Sequence, residues 1–221
     1  MEQLLRFKSK FYLKLEIIII FFFVLYYFKK VKNIYFTGNK FDVTFEYHNY
    51  QRELITERMI KYSSWELLHN EPYFINGIIR KYKPKRCLEI GVSNGGSSII
   101  ILNAIKDINN SFLISLDLNS LLYYNEKFKT GYRVFKFFPE LTKKWKLYTG
   151  EQSHKFLEKL NIKFDFLFLD TAHFSPGELI NIIEVLPFLK DNAIFIAIVL
   201  ISDLFFIDYC EVVEVLFQIL V

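Results

Sequence analysis

The feature that most constrains this chain is the stretch Arg-Cys-Leu-Glu-Ile-Gly-Val-Ser-Asn-Gly-Gly-Ser-Ser at residues 86–98. It opens with a short apolar run that contains one acid, Glu89, and then carries Gly91, Gly95 and Gly96. A second apolar run follows at once. A buried strand, a glycine-rich turn and a helix, in this order, form half of a nucleotide-binding βαβ unit. The pattern therefore predicts a ligand loop, because glycine permits close backbone approach and the helix N-terminus offers N–H groups.

Alternating apolar runs predict the rest of the fold. Five strands are expected, over residues 87–90, 112–116, 145–148, 164–169 and 193–200. Helical patterns separate them, which is typical of a Rossmann-like, doubly wound α/β fold with a mostly parallel sheet and flanking helices. Ligands bind beyond the carboxyl ends of such strands. Gly91, Asp117, Gly150 and Asp170 all follow predicted strand ends, so one site is expected there. Residues 119–136 are predicted to be irregular, and residues 211–220 to form a final helix.

The spacing of the glycine loop narrows the class of ligand. Glu-x-Gly-x-x-x-Gly-Gly differs from the Gly-x-Gly-x-x-Gly of the usual dinucleotide fingerprint. It resembles motif I of the class I S-adenosylmethionine-dependent methyltransferases, most closely their small bacterial members, and the resemblance covers residues 65–197. A second signal agrees, since Asp117 ends the next strand 26 positions after Gly91. The alternative is a tight strand–helix turn that binds no ligand.

The resemblance implies S-adenosyl-L-methionine as cofactor and a set of residues that bind it. In the family, an acid at the place of Asp117 binds the ribose hydroxyls, and the turn after the third strand approaches the adenine. A helix cap is the alternative role for that turn. The implied cofactor-binding residues are Glu89, Gly91, Ser93, Asn94, Gly95, Gly96, Ser97, Asp117, Glu151 and Gln152.

Asp170 and His173 are the candidate catalytic residues, because they follow the fourth predicted strand. Their Asp-x-x-His element resembles the Asp-Gly-Asp-His element of methyltransferases that act on sugars and small hydroxyl compounds. The resemblance implies that they contact a hydroxyl acceptor or take its proton. The middle acid is replaced by Ala172. A hard divalent cation requires several oxygen ligands, so no metal is predicted and the two residues are weak metal candidates only. A structural role for His173 is the third interpretation.

The chain divides into three predicted parts. Residues 1–32 form a hydrophobic and basic leader, residues 33–64 a linker and helical lead-in, and residues 65–221 the α/β domain. The leader is expected to contain a hydrophobic helix over residues 17–28. Twelve helical residues cover about 18 Å, less than a hydrocarbon core of about 30 Å. Two interpretations stay open: a membrane anchor with contact through residues 11–28, or an arm packed against the domain.

Charge and cysteine content exclude some classes of function. The formal net charge is +4, yet residues 1–40 carry a net +6, which leaves −2 for the rest. A nucleic-acid-binding module is therefore not expected, because the basic residues belong to the leader. The two cysteines form no disulfide framework or zinc motif. These features fit a domain on the cytoplasmic side, anchored or not.

The predicted function is methyl transfer from S-adenosyl-L-methionine to a hydroxyl group of a small molecule or sugar. Family members usually continue with two more strands after the fifth, so the domain is expected to be shortened at its C-terminus. For that reason a second hypothesis is kept: a catalytically inactive, membrane-tethered binding or scaffold protein built on a degraded methyltransferase domain. The oligomeric state is not predictable from the sequence.

Overall fold

A computed structural model of the chain describes residues 47–67, 70–122, 124–171, 177–200 and 212–218. The predicted leader, including its hydrophobic helix, and His173 lie outside these residues. In the part that is described, every helix is too short or too polar to cross a membrane.

Six helices and eight strands make up the described fold. The helices are α1 (Glu57–Ser63), α2 (Glu71–Tyr82), α3 (Gly96–Ile105), α4 (Tyr132–Phe137), α5 (Ser153–Leu160) and α6 (Gly177–Val185). The strands are β1 (Arg86–Ile90), β2 (Phe112–Asp117), β3 (Leu121–Leu122), β4 (Asn125–Lys129), β5 (Trp145–Thr149), β6 (Phe164–Leu169), β7 (Leu189–Leu200) and β8 (Val212–Gln218). Short 3-10 turns cover Arg52–Leu54, Pro139–Lys144 and Leu186–Phe188.

The main sheet has the strand order β5-β2-β1-β6-β7-β8. Its first five strands are parallel, and they correspond to the five predicted from the apolar runs. This confirms the prediction of a mostly parallel Rossmann-like sheet with flanking helices. β1 and β6 lie at the centre, where helices cover both faces, and this explains why their sequences are almost continuously apolar.

Two local predictions were wrong. Residues 212–218 form β8, which pairs antiparallel with β7, and not a helix. Val212, Val213 and Val215 are β-branched residues that favour a strand, and pairing with β7 supplies the partner that the strand requires. Residues 119–136 are also more regular than expected, because they contain the antiparallel hairpin of β3 and β4 and then helix α4.

Each face of the sheet carries its own apolar layer. On one face the buried side chains of α2 and α3, such as Ile79 and Ile100, pack with Cys87 and Phe166 of the sheet. On the other face Leu88 and Phe195 pack with Leu157 of α5 and Val185 of α6. This doubly wound packing leaves the carboxyl ends of the strands, with their connecting loops, as the edge on which a ligand site can form.

The described part of the predicted lead-in belongs to the first of these layers. Ile55 and Met59 are buried in the core beside α2 and α3. Asn76 donates from Nδ2 to the carbonyl oxygen of Gln51 at 3.2 Å. The Tyr47 backbone lies directly against α2, where a Cβ atom added to Gly77 would be 1.7 Å from the Tyr47 carbonyl oxygen. Residues 47–64 are therefore attached to the domain more closely than the term linker implied.

We predict that Gly77→Ala destabilises the attachment of this segment. The added methyl group meets the backbone of Tyr47, which must move, and overpacking of this kind costs about 1–3 kcal/mol. Urea unfolding should show that loss, and limited proteolysis should show faster cleavage within residues 47–56. Ile180→Ala, at a position that is 48% exposed on α6, is the control and should change neither. Equal stability of the Gly77→Ala variant and the parent would contradict the packing described here.

Candidate active site

The glycine loop, residues 91–95, connects β1 to α3 at the carboxyl edge of the sheet. Gly91 has a φ of +88°, a left-handed conformation that favours glycine. Its amide donates to the Leu116 carbonyl oxygen at 2.9 Å, and the amide of Asp170 donates to the Ile90 carbonyl oxygen at 2.9 Å. The second bond holds the end of β6 over the loop, and a Cβ atom at Gly91 would be 1.6 Å from the Asp170 carbonyl oxygen. The backbone of β6, and not only a ligand, therefore requires glycine here.

Asp117, at the end of β2, holds the first half of the loop. Its Oδ2 atom accepts hydrogen bonds from the amides of Val92 at 2.9 Å and Ser93 at 3.1 Å. Its Oδ1 atom accepts one from the amide of Asn119 at 2.8 Å. The carboxylate thus ties the loop to its own strand end. The prediction that it lies beside the glycine loop agrees with this geometry.

Glu66, which lies in no sequence motif and was not among the predicted site residues, holds the second half of the loop. Its Oε1 atom accepts a hydrogen bond from the amide of Asn94 at 2.9 Å, and its Oε2 atom lies 3.4 Å from Nη1 of Arg133. The side chain of Glu66 is only 6% exposed, and this burial raises its pKa above the ordinary value. Glu66 lies 23 residues before Glu89, the acid of the glycine motif, and belongs to no motif of its own. The local sequence therefore does not indicate that Glu66 reaches the loop.

Every amide of residues 91–95 has an acceptor within the protein. Besides the bonds to Leu116, Asp117 and Glu66, the amide of Gly95 donates to the Val92 carbonyl oxygen at 2.8 Å. Loops that bind phosphate need N–H groups that point at the ligand. Here those groups are already paired, and two acceptors are carboxylates. The loop is therefore preformed, and its chemistry disfavours an anionic ligand.

Gly95 at the end of the loop and Gly96 at the start of α3 are also packing requirements. A Cβ atom at Gly95, which has a φ of +94°, would be 2.8 Å from Cγ2 of Val134. A Cβ atom at Gly96 would be 2.4 Å from Oε2 of Glu66. The glycines thus allow α4 and the lead-in segment to close upon the loop.

Glu89 lies beneath the loop and is fully buried. Its carboxylate accepts hydrogen bonds from the hydroxyls of Ser97 and Ser98, both at 2.6 Å, and from Ser115. The Trp145 indole N–H donates in turn to the Ser115 hydroxyl at 2.7 Å. Burial is the main cause that raises the pKa of Glu89 to about 7, and the hydroxyl groups oppose it. Glu89 and Ser97 therefore support the loop from below, and their predicted role in cofactor binding stays a prediction.

The turn after β5 lies next to Asp117, since the amide of Gly150 donates to the Asp117 carbonyl oxygen at 3.2 Å. Glu151 forms a 2.9 Å ion pair with Lys159, which lies in the last turn of α5. Gln152 is the exposed N-cap residue of α5, and its side chain makes no capping hydrogen bond. Both residues lie at the expected edge of the sheet, and their adenine-binding role stays a prediction.

Asp170 is half-buried at the end of β6, next to Gly91. The following residue, Thr171, accepts a hydrogen bond at its hydroxyl from Nδ2 of Asn181 at 3.0 Å, which ties this strand end to α6. His173 lies outside the described residues, so the Asp170–His173 pair is not described as a unit. The described ranges contain no group of three or more His, Cys, Asp or Glu residues that could hold a metal ion.

Comparison with known proteins relates the middle of the chain to a known domain family. Residues 88–197 match the model of a methyltransferase domain family, and this range includes the loop, Asp117 and Asp170. The match and the fold together identify residues 88–197 as a methyltransferase domain. No curated protein matches it in sequence.

Several solved structures share the fold. The O-methyltransferase TomG from Streptomyces achromogenes, solved in complex with S-adenosylmethionine, is 16% identical over 67% of this chain and 67% of its own, with a TM-score of 0.53. A methyltransferase from Geobacter sulfurreducens is 15% identical over 65% of this chain and 71% of its own, with a TM-score of 0.50. The SAH-bound methyltransferase PaMTH1 from Podospora anserina is 19% identical over 65% of this chain and 62% of its own, with a TM-score of 0.49. The present chain thus spans less than two thirds of that protein.

We predict that Glu89 makes stability fall as pH rises. Its folded-state pKa of about 7 is above the ordinary value of 4.5, so the folded protein favours the protonated acid. The stabilisation is complete below pH 4.5 and is lost as pH rises through 7, in total about 3 kcal/mol. Urea unfolding of the parent and of Glu89→Gln, which does not titrate, should show a stability difference that shrinks by about 2–3 kcal/mol between pH 5 and pH 8. Parallel pH curves for the two proteins would refute a raised pKa.

We also predict that Gly91→Ala destabilises the fold far more than Gly150→Ala. Both glycines have left-handed φ angles, +88° and +93°, so both substitutions carry the same conformational strain. Only at Gly91 does the new Cβ atom meet backbone, whereas at Gly150 its nearest neighbour is Oγ of Ser120 at 3.2 Å. The difference in unfolding free energy should be about 2 kcal/mol or more. Similar losses at the two positions would show that β6 does not press on the loop.

Proposed function

We propose that this chain transfers a methyl group from S-adenosyl-L-methionine to a hydroxyl group of a small molecule or sugar. The observation that carries the proposal is the set of paired amides in the glycine loop, with carboxylates as two of their acceptors. S-adenosyl-L-methionine carries a sulfonium and an ammonium group, and its ribose presents hydroxyl donors. A loop flanked by Asp117 and Glu66 suits such a ligand better than it suits a pyrophosphate.

Asp117 is the residue proposed to bind the ribose. An ionised carboxylate offers about four lone-pair sites. Three are occupied by the amides of Val92, Ser93 and Asn119, which leaves about one for a ribose hydroxyl. The three fixed N–H donors also hold the carboxylate in one orientation. Ligand binding therefore loses little entropy through ordering of the Asp117 side chain.

The reaction requires alignment of donor and acceptor, exclusion of water and removal of one proton. When bound, the cofactor supplies a methyl group on sulfur that is open to displacement, and the acceptor oxygen takes that methyl while the sulfur keeps the bonding electrons. The acceptor hydroxyl then loses its proton to a base. Asp170, at the strand end next to Gly91, is the proposed residue for that proton or for orienting the hydroxyl, and His173 is its predicted partner.

Two other functions fit the site less well. A nicotinamide enzyme would need loop amides for the pyrophosphate, and these are already paired. An inactive scaffold is not favoured, because the loop, Asp117 and Asp170 are all within the family match. The expected membrane contact through residues 11–28 is independent of the reaction and lies outside the described residues. A nucleic-acid partner is not proposed, since the chain beyond residue 40 carries a net charge of −2.

Calorimetric titration tests the proposal directly. S-adenosylhomocysteine should bind with micromolar affinity, whereas NADH, which offers a pyrophosphate at the same loop, should not bind measurably. Activity would then be sought with S-adenosyl-L-methionine and separate panels of phenols and hexosides, with methylated products detected by mass spectrometry. Tight NADH binding without S-adenosylhomocysteine binding would overturn the proposed cofactor.

We predict that Asp117→Asn weakens S-adenosylhomocysteine binding by about 1.5–3 kcal/mol, the range for a lost hydrogen bond to a charged group. Asparagine keeps one acceptor oxygen for the loop but loses the charge. The 2′-deoxy analogue of the ligand separates ribose contact from loop support. The parent should discriminate against the analogue, and Asp117→Asn should discriminate much less. Glu158→Gln, at an exposed acid of α5, is the control and should behave like the parent. Unchanged discrimination in Asp117→Asn would remove Asp117 from the ribose site.

A further inference from the structure

Three residues form a closed ring of polar contacts at the second half of the glycine loop. The Glu66 carboxylate accepts the Asn94 amide hydrogen at 2.9 Å. The Arg133 amide donates to the Asn94 carbonyl oxygen at 3.1 Å. The Arg133 guanidinium closes the ring, with its Nη1 atom 3.4 Å from Oε2 of Glu66. The Asn94 residue is thus held from both its N–H and its C=O side.

The ring joins three separate parts of the chain. Glu66 lies between α1 and α2, Asn94 lies in the loop, and Arg133 lies in the first turn of α4. Arg133 is itself anchored, because Nη1 also donates to the Tyr62 carbonyl oxygen at 2.7 Å. The side chains of Arg133 and Glu66 are 18% and 6% exposed, so solvent screens the pair only weakly.

We propose that Glu66 is a positioning residue for the cofactor loop and that Arg133 fixes Glu66 in the orientation that holds the Asn94 amide. The inference rests on the proposed function for its effect on cofactor affinity, but not for its effect on the loop itself. Glu66 lies outside residues 88–197, the range that matches the methyltransferase domain. The connection between α1 and α2 therefore supplies a part of the proposed cofactor site that the matched range does not contain.

A purely structural role for the pair explains less. An ion pair that served only to join the α1–α2 connection to α4 would not need to contact the loop backbone. Here Oε1 of Glu66 is committed to the Asn94 amide, and Gly96 is required because a Cβ atom there would meet the same carboxylate. Without Glu66 the amide of Asn94, in a residue that is 2% exposed, would lose its acceptor. A buried amide without an acceptor favours loop conformations in which it reaches water.

Hydrogen exchange measured without cofactor tests the loop directly. In Glu66→Ala and in Arg133→Met, exchange of the peptide that covers residues 91–98 should be at least 10-fold faster. Peptides from β6 should be unchanged. Glu66→Gln keeps an acceptor oxygen for the Asn94 amide and should restore most of the protection. Glu158→Gln, an exposed acid of α5, is the matched control and should leave the loop unchanged. If loop exchange in both Glu66→Ala and Arg133→Met equals that of the parent, the proposal is wrong.

Affinity for S-adenosylhomocysteine provides the second readout, in a double-mutant cycle. Glu66→Ala and Arg133→Met should each weaken binding about 10-fold. The double variant should also lose about 10-fold and not 100-fold, because both substitutions act through the same amide. A full 100-fold loss would mean that the residues act separately, which overturns the role given to Arg133. If the parent binds no S-adenosylhomocysteine, the proposed function fails, while the exchange experiment still decides whether Glu66 positions the loop.

Discussion

The structure of the site depends on one constraint: the backbone amides of the glycine loop, which is buried or half-buried throughout, must all find acceptors. Asp117 and Glu66 satisfy three of the five amides in residues 91–95, and backbone carbonyls satisfy the others. Because the carboxylate acceptors come from β2 and from the connection between α1 and α2, the loop holds its shape before any ligand arrives. Preorganisation of this kind lowers the ordering cost of binding. The same arrangement concentrates negative charge beside the loop.

Carboxylates that lie close together repel one another, and burial makes their ionised forms still less favourable. The three acids near the loop are stabilised in different ways. Glu89 lies fully buried below the loop, where desolvation and the nearby Asp117 raise its pKa and three serine hydroxyls lower it. Protonation of Glu89 near neutral pH relieves repulsion between the two acids. Glu66 is relieved in another way, by the guanidinium of Arg133. Asp117 differs from both, because its carboxylate is held by three backbone amides of the loop and its own strand end.

The sequence predicted those parts of the fold that depend on local pattern. The five parallel strands follow from short apolar runs, and the loop and Asp117 follow from glycine spacing and a strand end. Prediction from the sequence failed where contact with a distant part of the chain determines the local structure. Residues 212–218 become a strand by pairing with β7, and Glu66 and Arg133 meet although they are 67 positions apart. The reason for the glycines was also only partly predictable, because the contact of Gly91 with Asp170 requires knowledge that β6 neighbours β1.

The position of Gly91 connects the two halves of the proposed chemistry. Its conformation exists because the backbone of Asp170 crosses directly over it, and the bond from the Asp170 amide to the Ile90 carbonyl oxygen keeps it there. The loop that would hold the cofactor and the strand end that would face the acceptor are therefore one rigid unit. A methyl transfer depends on the relative placement of donor and acceptor. In this fold the backbone contacts between the end of β1 and the end of β6 would set that placement.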